Sequence, residues 1–175
     1  MKTPVWMIND TPEDFFTYLD SIVEAEKDSI ITKDEGSQDP TSPSESLWFN
    51  EPKMNSWIWS KLLHANRNSF AVDISHIFEM QWTKLSEGEF EDWHQDIRRT
   101  TNYVFDRKLT AILQLSDGDE YEGGDLVFDG IELDSRSREK GTVIIFPSYT
   151  QHRITRVTKG VRKSLVSWAE GPQWR

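Results

Sequence analysis

The chain holds four histidines, and two of them stand where a metal ligand would be useful. His94 opens the motif His94-Gln95-Asp96. In an extended segment residues i and i+2 share a face, so an imidazole and a carboxylate can aim at one point. Alone, so short a motif arises often by chance. His152 adds to its weight. It lies 56 residues after Asp96, behind GTVIIFPSYTQ, a buried-looking strand closed by a proline turn. Two histidines and one carboxylate make the facial set that holds non-haem Fe(II) and leaves positions open for other ligands. Oxygen chemistry needs those open positions. Imidazole also suits zinc, so the set by itself does not choose the metal. Arg162 follows ten residues after His152, in the next strand pattern. A guanidinium forks onto a carboxylate, and buried near a metal it calls for an anionic partner. A dicarboxylate that chelates the metal at one end and meets Arg162 at the other satisfies both demands. His64, near a helix end, and His76, in a strand pattern, read as ordinary surface or hydrogen-bonded histidines.

Several elements must position these groups. Residues 11–27 read as a helix, with Thr11 as N-cap and Pro12 at the first helical position. Phe15, Phe16, Leu19, Ile22 and Val23 form its apolar stripe. Residues 33–46 are polar, with two prolines and one glycine, and read as an exposed loop or flap. A second helix is expected over 55–66, with Trp57, Ile58, Leu62 and Trp59 inward. From residue 70 the pattern turns extended, over 70–85, 107–115, 125–133, 141–147, 152–157 and 162–169. Many short strands with turn signals between them argue for an all-β barrel or sandwich under two N-terminal helices. Trp48, Trp57, Trp59 and Trp82 read as core; Trp93, beside His94, is a candidate to line the site.

Composition removes several classes. At 175 residues one domain is expected over 1–175, with about 1–68 as helical support and about 69–172 as the core. The formal charge is −10, the opposite of a nucleic-acid footprint. With no cysteine there is no disulfide and no thiolate site, which agrees with a reducing, cytoplasmic setting. The first residues carry no apolar signal-like run, and nothing is apolar enough to span a membrane. No phosphate loop, dinucleotide glycine motif or nucleophile elbow is present.

Three segments together resemble a known family. HQD (94–96), LTAILQLSDGDEYEGGDLVF (109–128) and GTVIIFPSYTQHRITRVTKGVRKSLVSWAEGP (141–172) are similar to the Fe(II)- and 2-oxoglutarate-dependent dioxygenases, closest to the prolyl 4-hydroxylase-like, PKHD-type subgroup. The resemblance covers about 80–172. It implies a double-stranded β-helix, or jelly-roll, with iron on His94, Asp96 and His152. It implies Arg162 on the distal carboxylate of 2-oxoglutarate, O2 as oxidant, and ascorbate as a candidate reductant. It places Arg107 and Trp168 near the substrate. Gly123 and Gly124 fit a tight turn, and Tyr121 before them reads as packing. Two departures stand out. Gln114 occupies the inner-strand place where many prolyl hydroxylases have a tyrosine, so Gln114 or Thr110 is the candidate hydrogen-bond partner of the cosubstrate. The family's tyrosine ahead of the H-x-D motif is missing from 84–90.

The expected function is hydroxylation of prolyl residues in a protein or peptide. The alternatives are the same chemistry on a free amino acid or other small substrate, and a non-catalytic, cupin-like metal-binding module. A peptide predicts an open groove, and a small substrate a closed pocket.

Overall fold

Two long strands carry the architecture, and their period-two alternation decides which face looks where. The computed structural model describes residues 4–32, 45–97 and 104–174. In chain order the elements are β1 (Trp6–Asn9), α1 (Glu13–Ala25), β2 (Ile31–Thr32), β3 (Glu45–Phe49), α2 (Pro52–Ala65), β4 (His76–Leu85), β5 (Glu91–His94), β6 (Phe105–Gln114), β7 (Tyr121–Gly123), β8 (Leu126–Phe128), β9 (Thr142–Pro147), β10 (His152–Ile154), β11 (Val157–Gly160) and β12 (Arg162–Pro172). β6 and β12 pair antiparallel from Gln114↔Ser164 to Phe105↔Pro172 at the centre of a seven-stranded sheet ordered β1-β9-β6-β12-β4-β3-β2. Two small sheets, β5-β10-β8 and β11-β7, supply the rest of the β structure. This is the jelly-roll that the resemblance implies.

One face of the large sheet is apolar. Leu109, Ala111 and Leu113 of β6 and Leu165 and Ala169 of β12 join Phe15 and Leu19 of α1 and Met54, Ile58, Leu62 and Ala65 of α2 in one core. The other face turns into the barrel. There Ile112, Ile144 and Phe146 pack with Leu85, Leu126, Phe128 and Ile154, while Thr110, Gln114, Arg162 and Ser164 bring buried polar groups among them.

The helices differ in detail from expectation. Pro12 holds the extended N-cap position of α1, and the Thr11 hydroxyl donates instead to the Gly141 carbonyl at 2.7 Å. α2 starts at Pro52 rather than 55, because the Glu51 carboxylate accepts the Met54 N–H at 2.8 Å and caps it. Residues 66–70 continue the helix as a π-helical turn closed by Ala71 at φ 55°, and the extended run expected over 70–85 is strand only from His76. The Asn66 side chain seals that turn on the Val72 backbone with bonds of 2.9 and 2.8 Å. The 125–133 stretch is strand only at Leu126–Phe128, and the 152–157 stretch divides into β10 and the start of β11. Of the expected loop 33–46, residues 33–44 lie outside the described residues, and Glu45 and Ser46 open β3. Among the described residues no helix is long and apolar enough to cross a membrane.

Candidate metal centre

His94 ends β5, and His152 opens β10 directly opposite it in register. Their ring centres are 4.3 Å apart. Asp96 sits just beyond β5, where its N–H donates to the Ser148 carbonyl at 2.8 Å. One ligand atom from each of the three lies within 4.8 Å of the others. His94 Nε2 is 3.7 Å from Asp96 Oδ1, and His152 Nε2 is 3.6 Å from Asp96 Oδ2. Those separations are too long for hydrogen bonds, so the groups face one another across a gap.

The tautomers follow from the partners. His94 Nδ1 is 2.7 Å from the Asp92 carbonyl, and His152 Nδ1 is 2.8 Å from the Thr150 carbonyl. A carbonyl can only accept, so each Nδ1 carries the proton and each Nε2 turns a lone pair to the gap. This is the outer support that a metal-binding imidazole needs. Burial lowers the pKa of His152, and the nearby Asp96 charge only partly opposes it, which keeps the ring neutral and ligand-ready. Asp96 Oδ2 accepts the Thr110 hydroxyl at 2.7 Å, and Thr110 lies 3.0 Å from the Ser148 hydroxyl. The turn after β9 thus braces Asp96 through Ser148 and His152 through Thr150. The donor set fits a divalent metal of the iron or zinc type.

Arg162 lies deeper on the same inner face and is 2% exposed. Its Nη1 donates to Ser164 Oγ at 3.3 Å and its Nη2 to Gln114 Oε1 at 3.1 Å. Both acceptors are neutral. Its Nε is buried without a hydrogen-bond partner, and among the described residues no carboxylate is at ion-pair distance. A buried guanidinium with a spare donor and no ion-paired carboxylate fits an anionic ligand; the acid whose charge it does influence, Glu91, has its pKa raised by burial. Gly124 lets the backbone approach, since a Cβ there would meet Arg162 Cδ at 3.2 Å and the residue has φ +63°.

Glu91 is an inward carboxyl that the sequence reading missed. The β5–β10 register slips, so that Asp92 and Trp93 together oppose Arg153 while Glu91 faces Ile154. The bulge turns Glu91 to the same side as His94. Burial raises its pKa, and the charges of Arg162 and His94 pull the other way. The spacing of Glu91 from His94 would suggest the opposite face, and only the bulge overrides that.

A second bulge serves Arg107. Leu109 pairs with Ala169 and Arg107 with Glu170, leaving Lys108 as the extra residue. Arg107 therefore shares a face with Trp168 and Thr110. Its guanidinium sits 3.7 Å from the Trp168 ring centre, and Trp168 is the register partner of Thr110. From the β3 side, half-exposed Trp48 stacks on Trp168 at 5.4 Å and 16°. Trp93 lies outside the barrel wall, exposed, with the Arg153 guanidinium 4.8 Å over its ring. Thr110 is spent on Asp96, and Gln114 stands beside Arg162. Tyr121 is buried under the Arg138 guanidinium, as packing. His64 rests near Trp6, and His76 near Glu170 at 3.6 Å, both away from the triad.

The arrangement defines a class: a barrel with a two-histidine, one-carboxylate metal set and a buried anion-seeking arginine. Residues 80–170 match the model of the 2OG-Fe(II) oxygenase superfamily, and the chain belongs to that family. It is 35% identical to a PKHD-type hydroxylase of Shewanella sp. strain MR-7 over 92 residues, 51% of this chain and 41% of that protein. The chain spans less than half the length of the curated relatives it matches. A Pseudomonas putida prolyl-4-hydroxylase superposes with a TM-score of 0.72 at 17% identity, over 97% of this chain and 94% of that one. A non-heme alpha ketoglutarate dependent carbocyclase, SnoK from nogalamycin biosynthesis, superposes with a TM-score of 0.69 at 13% identity, over 97% and 81%. At such identities the likeness shows the fold alone.

Proposed function

We propose that this 2-oxoglutarate-dependent oxygenase hydroxylates prolyl residues in a peptide or protein. The observation that carries the reading is the Arg107–Trp168 pair, which stands next to the hydroxyl that braces Asp96. The stacked Trp48, Trp168 and Arg107 groups make an aromatic and cationic wall suited to a prolyl ring and its peptide. Exposed aromatic groups adjoin the pair, Trp48 stacked on Trp168, the Trp174 indole donating to the Arg107 carbonyl and Tyr149 against Trp174, and such a surface suits an extended chain better than a small enclosed substrate. The relatives named as PKHD-type hydroxylases and the superposed prolyl-4-hydroxylase support the same reading.

His94, Asp96 and His152 would hold the metal, and Arg162 would take the distal carboxylate of 2-oxoglutarate. Bound there, Fe(II) and 2-oxoglutarate with O2 supply the oxidising power that places a hydroxyl on a C–H bond, with succinate and CO2 as the other products. The chain's own part is geometric. Thr110 and Ser148 hold Asp96 in one orientation, the Asp92 and Thr150 carbonyls fix both imidazoles, and the apolar wall of Ile112, Ile144 and Phe146 excludes water. Ascorbate is the reductant and the cytoplasm the setting that go with this reading; the cysteine-free sequence agrees with the latter.

The test is an anaerobic titration with Fe(II) and 2-oxoglutarate, followed by succinate release with proline-containing peptides. The reading expects a saturable visible band, lost in His152→Ala and weakened in Arg162→Ala, and succinate release stimulated by peptides but not by their proline-free versions. Stimulation by free amino acids or other small substrates, and not by peptides, would overturn the peptide reading in favour of the small-substrate alternative.

A further inference from the structure

Gln114 ends β6 on the inner face, opposite Ser164 in register. Its amide lies between two unambiguous neighbours. The Arg162 guanidinium can only donate, so Oε1 faces Nη2 at 3.1 Å; the Ser137 carbonyl can only accept, so Nε2 faces it at 2.7 Å. The Ser137 carbonyl is itself held. It belongs to a tight turn whose Ser137 hydroxyl donates to the Asp134 carbonyl at 2.8 Å. The adjoining Arg138 ties that turn to the carbonyls of Gly118, Tyr121 and Gly123 and to the Asp125 carboxylate. On the other side Ser164 Oγ, the acceptor of Nη1, is backed by Thr83 Oγ1 at 2.7 Å. Arg162 is therefore gripped at both ends of its fork by neutral oxygens on braced supports. A glutamate at 114 would have the same size, but it would be a resident counter-ion and would turn an oxygen toward the Ser137 carbonyl.

We propose that Gln114, braced by the Ser137 carbonyl, is a positioning residue that aims Arg162 while adding no counter-charge of its own, so that the pocket selects an anionic cosubstrate. The inference rests on the oxygenase reading and assigns Gln114 an action through Arg162 rather than a contact with 2-oxoglutarate. It also makes the 134–138 turn, far from the metal in sequence, a determinant of cosubstrate affinity.

The experiment measures 2-oxoglutarate binding to the anaerobic Fe(II) protein, by the visible band and by calorimetry, with Fe(II) affinity and thermal unfolding as controls. Gln114→Glu is expected to weaken 2-oxoglutarate about 100-fold, because the pocket then carries its own anion. Gln114→Leu is expected to weaken it about 10-fold, because the fork loses one grip but keeps its charge. Fe(II) affinity stays at the wild-type value in both. The deciding arm is a double-mutant cycle with Arg162→Lys, whose point charge needs no aimed fork. There Gln114→Leu should cost less than about 2-fold. An unchanged affinity in Gln114→Glu overturns the proposal, and so does a full Gln114→Leu loss in the Arg162→Lys background, which would mean direct contact. Absence of 2-oxoglutarate binding in the wild-type protein would sink the oxygenase reading instead, before the variants are compared.

Discussion

The two faces of the large sheet are made by the same strands and do opposite work. On β6, Leu109, Ala111 and Leu113 face the helices, while Thr110, Ile112 and Gln114 face the barrel. On β12, Leu165 and Ala169 face the helices, while Arg162, Ser164 and Trp168 face inward. The helix side is a continuous apolar layer whose value lies in area removed from water. The barrel side mixes apolar walls with buried hydroxyls, an amide, a guanidinium and imidazoles, each held by a partner or waiting for a ligand. Burial of such groups costs free energy unless something answers them. The contrast is one of chemistry: the helix side is packed almost wholly with apolar groups, while the barrel side sets its polar groups within a second apolar core.

The sharpest way to break this contrast is to strip each face in turn. His152→Ala should abolish Fe(II) binding and succinate release together while lowering the melting temperature of the metal-free protein less than Leu113→Ala does, because the lost Thr150 bond and ring packing are partly offset by removal of a buried polar group. Leu113→Ala should do the reverse. It should cost about 2–5 kcal/mol in denaturant unfolding, the usual toll of a cavity in a closed core, with Fe(II) affinity of the folded fraction intact. A stability loss in His152→Ala as large as that in Leu113→Ala would overturn this order. A smaller effect sharpens the point. Thr110→Val removes one hydrogen bond to Asp96 at nearly constant volume and should weaken Fe(II) about 10–100-fold, as loss of outer ligand support does. Isothermal titration with Fe(II) under nitrogen checks it, and Fe(II) affinity equal to the wild type would count against Thr110 as a brace.

Part of this was legible in the residues. The run 107–115 was legible as a strand, and the structure brings His94, Asp96 and His152, expected as ligands, within 4.8 Å of one another. What stayed hidden depends on register. Arg107 and Thr110 are three apart, which by period two puts them on opposite faces; only the extra residue at Lys108 brings them together. Glu91 is turned inward by the same device. The extended run expected from 70 becomes strand only at His76: Phe70 and Val72 look like β-formers, but Phe70 ends a π-helical turn whose closing bonds come from the Asn66 side chain, a contact that local pattern does not show. The support of Gln114 by Ser137 joins positions on separate elements with no shared motif.

The finest distinction between the faces is one of pH. Burial holds His152 below its ordinary value near 6.5, so the unfolded chain takes up a proton there before the native one does. Stability from this group is whole above about 6.5 and is lost as pH falls toward the native pKa. Glu91 runs the other way. Its pKa is raised from the ordinary value near 4.5, so the native state keeps a proton that the unfolded chain has released. Stability from Glu91 is whole below that value and is lost as pH rises through the native pKa. The metal-free inner face is thus penalised from both directions, and the apolar face from neither. Chelator-treated protein, unfolded in denaturant from pH 4 to 8, should show it. Glu91→Gln should raise stability at neutral pH and flatten the loss on the alkaline side, and His152→Ala should flatten the acid limb. Leu113→Ala should lower the whole curve without changing its shape. If instead the Glu91 and His152 variants kept the wild-type pH profile, the titrating groups would lie elsewhere and the two faces would differ in chemistry but not in linkage to pH.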